Sequence, residues 1–121
     1  MIQEFRDANG PIPGDCVRAT MATLLNKPLQ AVPHFALFGS EWVAALLLYL
    51  KIEKLELVAM EQHQLQPGVR YMAFGPSPRG KWEHSVVWGL YGLIEDPHPE
   101  GLGLAGPPRE IWWLKKKRFR G

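Results

Sequence analysis

At 121 residues, 46% of them hydrophobic, the chain is long enough to bury a core without metal or disulfide support, and this length predicts one domain. Its single cysteine excludes an internal disulfide. Its N-terminus lacks a basic flank followed by an apolar run, and the apolar stretch 42–50 is too short to cross a bilayer. We therefore expect a cytoplasmic protein with no membrane partner.

The net charge of +2 is concentrated at the C-terminus. Residues 109–121 carry +5, and the rest of the chain carries −3. We predict a single domain over residues 1–114, followed by a basic tail, residues 115–121. A run such as KKKRFRG is typical of a solvated terminus or of a segment that touches a polyanion. The solvated terminus is favoured, and contact with nucleic acid stays the alternative.

The first half of the chain predicts helices. Residues 1–14 are irregular, because the glycines and prolines of NGPIPG forbid regular structure. Apolar residues at helical spacing then predict a helix over 16–25, with Asp15 as its N-cap. A second helix is predicted from Glu41 to about Lys51, capped by Ser40. It is apolar almost all round, which predicts a helix packed in the core.

The second half of the chain predicts β-strands. Five short segments are rich in β-branched and aromatic residues and are separated by glycine and proline signals. They predict an antiparallel sheet of about five strands, so the fold class is α+β, with the helices packed on the sheet. The segments are residues 54–60, 69–75, 84–90, 92–96 and 110–116.

The cysteine, Cys16, stands at the first position of the first predicted helix. Unpaired N–H groups and the positive end of the helix dipole favour a thiolate there, and the thiolate is the nucleophilic form of cysteine. This placement predicts a candidate nucleophile. By position alone, a buried structural cysteine is the favoured alternative.

A predicted hairpin, WEHSVVWGLYGLIED, carries a histidine and an aspartate. If residues 89–92 close its turn, His84 faces Asp96 or Pro97, within reach of an imidazole–carboxylate contact. Such a carboxylate holds the tautomer of the imidazole and stabilises its protonated form. The pair predicts a general base, His84, oriented by Asp96. The alternative is an ordinary cross-strand polar pair.

Three further residues are predicted to bind substrate. Arg79 and Trp82, in the loop GPSPRGKWE, suit a carboxylate and an apolar group at the mouth of the site. His98 is placed on the wall of the site, two residues after Asp96. The alternative for Arg79 and Trp82 is that their loop is a proline-stiffened connection, with Trp82 covering an edge of the core. The alternative for His98 is an ordinary loop residue. No ligand spacing of the CxxC or HxxxH type is present, so no metal is expected.

Here the chain resembles a known group of proteins. GDCVRATMATLL…VPHF with SPRGKWEHSVVWGLYGLIEDPHPEG resembles the papain-like cysteine peptidase superfamily, most closely small C39-like and NlpC-like proteins of phage and bacteria. The resemblance covers roughly residues 3–104. It implies a papain-like fold, with Cys16 as nucleophile, His84 as base and Asp96 as orienting residue. It also implies Gln3 as the oxyanion residue, brought back over the sulfur by the segment NGPIPG.

The function expected from these features is cysteine-dependent hydrolysis of an amide, peptide or isopeptide bond. The substrate would be a peptide or protein, no cofactor is needed, and the location would be the cytoplasm of a bacterium or a phage-infected host. One alternative is a non-catalytic papain-like module that binds a host or partner protein through the basic, tryptophan-rich C-terminal edge. Another is acyl transfer to an amine on the same three residues.

Overall fold

The computed structural model of the chain describes residues 2–3 and 14–117; the first five residues of the segment NGPIPG, 9–13, and the last four residues of the predicted tail lie outside these ranges. Two α-helices come first, α1 (Cys16–Leu25) and α2 (Trp42–Ile52). Short 3-10 helices cover Leu29–Ala31, Phe35–Glu41 and Gln62–Gln64. The strands are β1 (Leu55–Met60), β2 (Tyr71–Pro76), β3 (Glu83–Gly89), β4 (Gly92–Glu95) and β5 (Glu110–Lys116).

The five strands form one sheet in the order β1-β5-β2-β3-β4, and every neighbouring pair is antiparallel. This confirms the predicted α+β class, with two helices packed on a five-stranded antiparallel sheet. The last strand lies between the first and the second, so it closes the sheet through long-range pairing. The hairpin of β3 and β4 is left at one edge, where α1 packs against β3.

The core divides between the two faces of the sheet because side chains alternate along each strand. Met72, Phe74 and Trp112 belong to the cluster that packs with α1 and α2. Tyr71 and Val86 belong to a second cluster on the opposite face. The two clusters hold the sheet between them and fix the ends of β2 and β3, where the candidate site lies.

Asp15 is the N-cap residue of α1, as predicted, but its side chain makes no capping hydrogen bond. The buried carboxylate instead lies 3.5 Å from the guanidinium of Arg18, one turn along the helix. Arg18 also donates to the carbonyls of Leu29 and Val32, at 3.1 and 2.9 Å. The competing ion pair therefore draws Asp15 towards the side of α1 and fastens the following segment to it.

The prediction that α2 is buried all round is correct for one face only. Leu46, Tyr49 and Leu50 are buried in the core, while the opposite face lies open. The reason is that α2 packs against the edge strand β1 and no other layer of the described chain covers it. The exposed apolar residues of this helix are Val43, Leu47, Leu48 and Ile52. Helix α2 begins at Trp42 and has no side-chain cap from Ser40 or Glu41.

By length and composition, the run Leu29–Ile52 is apolar enough to cross a membrane, a test that core helices also pass. The run is not one continuous helix, because Gly39 has φ 57° and ψ −129° and interrupts it. Its longest regular part is α2, with 11 residues. At about 1.5 Å per residue such a helix spans only about half of a bilayer core. The geometry favours a docked helix over a spanning one.

The sheet extends into the predicted basic tail. Strand β5 runs through Lys116, and Lys115 and Lys116 pair with Glu56 and Leu55 of β1. The backbone of these two lysines therefore belongs to the sheet. The basic segment that follows the sheet is correspondingly shorter than residues 115–121.

Candidate functional site

The predicted histidine–aspartate pair is formed. His84 Nε2 lies 2.6 Å from Asp96 Oδ1, and both side chains are buried. The turn closes between Gly89 and Gly92, as the hairpin pattern predicts. The two side chains lie on the same face of the sheet, and this contact uses Nε2. The other ring nitrogen, Nδ1, is therefore left for a second proton partner.

A β-bulge makes this contact possible. Trp88 pairs with Leu93, but the next residue, Val87, pairs with Glu95, so Ile94 is an extra residue in β4. Side chains alternate between the two faces of a sheet, and a one-residue shift moves every later side chain to the other face. Without the bulge, the carboxylate would point away from the imidazole. The extra residue is what joins the pair.

The Asp96 carboxylate is held from three directions. Oδ1 also accepts the backbone N–H of His98 at 2.9 Å, and Oδ2 accepts that of Gly103 at 2.8 Å. Gly103 has φ 70°, a left-handed conformation that suits glycine. Burial alone would raise the pKa of Asp96, but the hydrogen bonds from His84, His98 and Gly103 outweigh it and lower that pKa. The carboxylate is ionised and locked in place.

The imidazole of His84 is neutral near pH 7. Burial lowers its pKa and outweighs the hydrogen bond and charge of Asp96, which raise it. The charges of Arg79 and His98 lower it further. With the Nε2 proton donated to Asp96, the lone pair of Nδ1 is the basic site. A neutral imidazole of this kind is ready to accept a proton.

Cys16 and His84 line the same cleft. Helix α1 is fixed to β3 at this point, because Thr20 Oγ1 donates to the carbonyl oxygen of Ser85 at 3.2 Å in a buried contact. Ser85 follows the histidine directly and also lines the cleft. The first turn of α1 and the start of β3 therefore bring the half-buried thiol and the base to one opening.

The prediction of a thiolate at Cys16 is wrong for the resting site. Burial raises the pKa of this thiol to about 11, and the charges of Asp15 and Asp96 act in the same direction. Backbone hydrogen bonds from Ser85 and Val17 lower it but do not compensate. Desolvation exceeds the effect of the helix N-terminus here. At neutral pH the thiol and the imidazole are both uncharged.

The cleft has a volume of about 560 Å³. Its lining combines the thiol, the imidazole and Ser85 with apolar side chains and with three charged ones, Glu83, Arg109 and Glu110. The remaining described residues that line it are Gly14, Val17, Ala36, Trp42 and Phe74. The predicted substrate-binding residues Arg79, Trp82 and His98 are not among the described residues of this lining.

Those three residues lie around the imidazole and its loop. The ring of His98 packs edge-on against that of His84, with centroids 6.4 Å apart, and its Nδ1 accepts the N–H of Glu100. Arg79 lies near enough to His84 for its charge to affect the imidazole. Trp82 closes the loop through its carbonyl oxygen, which accepts the N–H of Ser77 at 2.9 Å. Arg79 and His98 therefore act on the imidazole, and Trp82 contributes to the loop that precedes it.

Gln3 is held beside the third residue of the site. Its N–H donates to the carbonyl oxygen of Pro97 at 2.9 Å, and its side chain is buried. This contact brings the N-terminus next to Asp96. The predicted route of NGPIPG over the sulfur lies outside the described residues.

Sequence reasoning missed Gly103 and the apolar wall of the cleft. The glycine-rich stretch GLGLAG, soon after the aspartate, was the available signal for a chain that turns back onto Asp96. Alternation in YMAFG, which puts Phe74 on the helix-facing side, was the signal for the wall. Among residues 2–3 and 14–117, no group of three or more His, Cys, Asp and Glu side chains suits a metal ion.

The arrangement can support nucleophilic attack by Cys16 with proton transfer to a neutral His84, which Asp96 orients. Comparison of the chain with protein-family models, curated proteins and solved structures finds no match, so its function is inferred from this geometry.

Proposed function

We propose that this protein is a cysteine-dependent hydrolase of an amide, peptide or isopeptide bond, with a papain-like arrangement of its helices and sheet. One observation carries the proposal. A thiol at the first residue of a helix shares a cleft with a neutral imidazole whose far nitrogen is bound to a buried carboxylate. That combination is the one required for general-base activation of a nucleophile.

In the proposed reaction, His84 Nδ1 takes the thiol proton as Cys16 Sγ attacks the carbonyl carbon. The C=O π electrons move to the oxygen, and the Cys16 N–H, with the side chain of Gln3, stabilises this oxyanion. Collapse of the intermediate breaks the C–N bond, and the imidazolium gives its proton to the leaving amine. Water, deprotonated by His84, then hydrolyses the thioester, and the acid and the free thiol are released.

Because the thiol pKa is raised, His84 must remove the thiol proton during the reaction, which is not needed in a site that already holds a thiolate. With a pKa of about 11, about one thiol in 10,000 is ionised at pH 7. Attack therefore depends on proton transfer to His84 during the reaction. Asp96 keeps the imidazole in the tautomer that can accept this proton.

Alkylation by iodoacetamide tests the proposal directly, since Cys16 is the only cysteine of the chain. At pH 7 we expect wild-type protein to react about 10-fold or more faster than a His84→Ala variant, because a positioned base assists the reaction. The wild-type rate should show an inflection at or below the pKa of free histidine, about 6.5, because that of His84 is lowered. In the variant the rate should rise only towards pH 11.

The matched control is His63→Ala, which removes an exposed histidine on the 3-10 helix before β2 and should leave the rate unchanged. Equal rates and equal pH profiles for wild type and His84→Ala would mean that the imidazole does not assist the thiol. The catalytic proposal would then be abandoned.

A binding module that uses the basic, tryptophan-rich C-terminal edge is the second candidate, and the raised pKa of the Cys16 thiol is compatible with a structural cysteine. In that case the protein would act by binding a partner through its surface, and Cys16 would have no chemical role. A Cys16→Ala variant would keep its partner, and alkylation would be slow in wild type and His84→Ala alike. The same experiment therefore separates the two candidates.

A further inference from the structure

The cleft beside the thiol has a rigid apolar wall. The ring of Phe74 lies 6.3 Å from that of Trp42, and on its other side 4.5 Å from that of Trp112. Val17 and Ala36 complete this wall. Large rings in mutual contact, anchored in the core, form a preformed pocket. Such a wall suits an apolar or aromatic group.

One carboxylate that lines the cleft is not paired with a described basic residue. Glu83 forms an ion pair with Arg109, and Glu110 has no ion pair among the described residues. Glu110 pairs with Phe74 across β5 and β2, so the carboxylate lies on the same face of the sheet as the apolar wall. The described charged residues of the lining, Glu83, Arg109 and Glu110, therefore sum to one negative charge.

A buried polar atom in the same cleft also lacks a partner. Ser85 is fully buried, and its Oγ has no hydrogen bond among the described residues. Buried hydroxyl groups are normally satisfied, so an orphaned one beside a nucleophile indicates a site that a ligand completes. Ser85 pairs with Phe74 across β3 and β2, so this hydroxyl lies beside the apolar wall.

From this distribution we infer the substrate class, given the proposed hydrolase function. The acyl part of the substrate carries a large apolar or aromatic side chain, which packs against Trp42 and Phe74. Next to it the substrate carries a positive charge, a lysine or an amino group, which faces Glu110. An acidic substrate would meet this carboxylate and the −3 charge carried by the chain before residue 109.

Peptidyl vinyl sulfones, which alkylate a nucleophilic thiol without cleaving a bond, test this substrate class. Four probes are compared, with glycine, phenylalanine, lysine–phenylalanine or aspartate–phenylalanine before the reactive group. We expect phenylalanine to react about 10- to 100-fold faster than glycine, because an aromatic ring is buried. We expect lysine to be favoured over aspartate about 2- to 5-fold, as is typical of an exposed charge pair.

Two variants assign the preference to the cleft. Ala36→Trp fills the apolar pocket and should abolish the phenylalanine preference. Glu110→Lys should invert the lysine preference, while Glu100→Lys, an exposed carboxylate outside the cleft lining, should leave it unchanged.

Iodoacetamide is small and uncharged, and its His84-dependent reaction is measured in wild type and in Glu100→Lys, whose substitution lies outside the cleft lining. If that reaction is present but the four probes react equally, the substrate class is wrong and the hydrolase proposal stands. If the His84 dependence is absent, the hydrolase proposal itself fails.

A different observation concerns the open face of α2. Leu47, Leu48 and Ile52 are 49, 59 and 69% exposed, and the preceding 3-10 helix adds Leu37 and Phe38. With Val43, these side chains expose on the order of 600 Å², about the largest apolar patch found on an ordinary monomer. The area approaches the about 800 Å² that each partner buries in a standard interface.

We propose that a second copy of this chain covers this face. An antiparallel pairing of two α2 helices, with the two-fold axis between Leu47 and Leu48, sets Val43 of one protomer against Ile52 of its partner. The same pairing brings the exposed Glu41 at the start of one helix near the exposed Lys51 at the end of the other. The self-complementary charges and the opposed helix dipoles favour this partner over an unrelated one.

Light scattering after size-exclusion chromatography tests the dimer. We expect wild-type protein to have twice the chain mass of 13.7 kDa at micromolar concentration, and Leu47→Glu to be monomeric and folded. Tyr91→Glu, at a residue 93% exposed in the β3–β4 turn, is the matched control and should stay dimeric. A monomeric wild type, whether or not it binds phosphatidylglycerol vesicles, would overturn the proposal.

Discussion

Replacing Asp96 by alanine should lower the free energy of unfolding by about 3 to 5 kcal/mol, the usual cost of removing one partner of a buried charged pair. The loss has three parts, because His84 and the backbone N–H groups of His98 and Gly103 all lose their acceptor. Each buried donor left without a partner costs about 1 to 3 kcal/mol. Urea denaturation of both proteins measures the difference.

The control for this change is Glu100→Ala, an exposed carboxylate with no described ion pair, which should alter stability by less than about 0.5 kcal/mol. Asp96→Asn separates charge from shape. The folded pKa of Asp96 is lowered, so ionisation stabilises the fold above the pKa of an unfolded aspartate, about 3.9, and this contribution is lost as the pH falls through the folded pKa. The difference in free energy of unfolding between wild type and Asp96→Asn should therefore narrow below about pH 4. A gap that does not change with pH would contradict the ionised carboxylate.

The second large effect is expected at Leu46 of α2. Leu46 is 0% exposed and belongs to the core cluster between the helices and the sheet. Leu46→Ala should cost about 3 to 4 kcal/mol, since a cavity adds to the lost transfer free energy. Leu48→Ala, two residues along the same helix, is the matched control. Leu48 is 59% exposed, so the monomer should lose less than about 0.5 kcal/mol.

Both substitutions should be made in the Leu47→Glu protein, at concentrations where it is monomeric. Thermal and urea unfolding then measure the stability of the monomer without a contribution from a dimer. Similar losses for Leu46→Ala and Leu48→Ala would mean that α2 is covered on both faces. The orientation of the helix on the sheet would then need revision.

The predicted elements are confirmed because their signals are local. Helix α1 has the bounds that the apolar spacing predicts, residues 16–25, since a left-handed residue, Asn26, ends it just before Pro28. All five predicted strands exist, because alternating β-branched and aromatic residues favour a half-buried pleated surface. Asp15 takes the predicted cap position without a capping hydrogen bond, and Arg18, three residues along, lies beside its carboxylate.

The contact between His84 and Asp96 was predicted by a simpler hairpin than the one that forms. The turn at 89–92 depends only on the glycines at its two ends, so the sequence predicts it. The bulge at Ile94 is not, because nothing in the letters GLIED distinguishes a regular strand from one with an extra residue. Yet the bulge decides which face the carboxylate occupies. The contact was predicted correctly, but the bulge that produces it could be seen only in the folded sheet.

Periodicity and turn chemistry are enough to give the α+β class, the bounds of α1, the five strands and a histidine opposite an aspartate, because each depends on neighbours within a few residues. Three other properties depend on what lies across space. The pKa of Cys16 rises to about 11 because β3 buries the thiol, although its place at a helix start favours ionisation. The sheet buries Leu46 and leaves Leu47 and Leu48 open, although the run LLL treats them alike. The cleft takes its apolar wall and acidic rim from residues 14–110, which only the packed sheet and helices bring together. Burial and desolvation are properties of the assembled chain, and no local pattern encodes them.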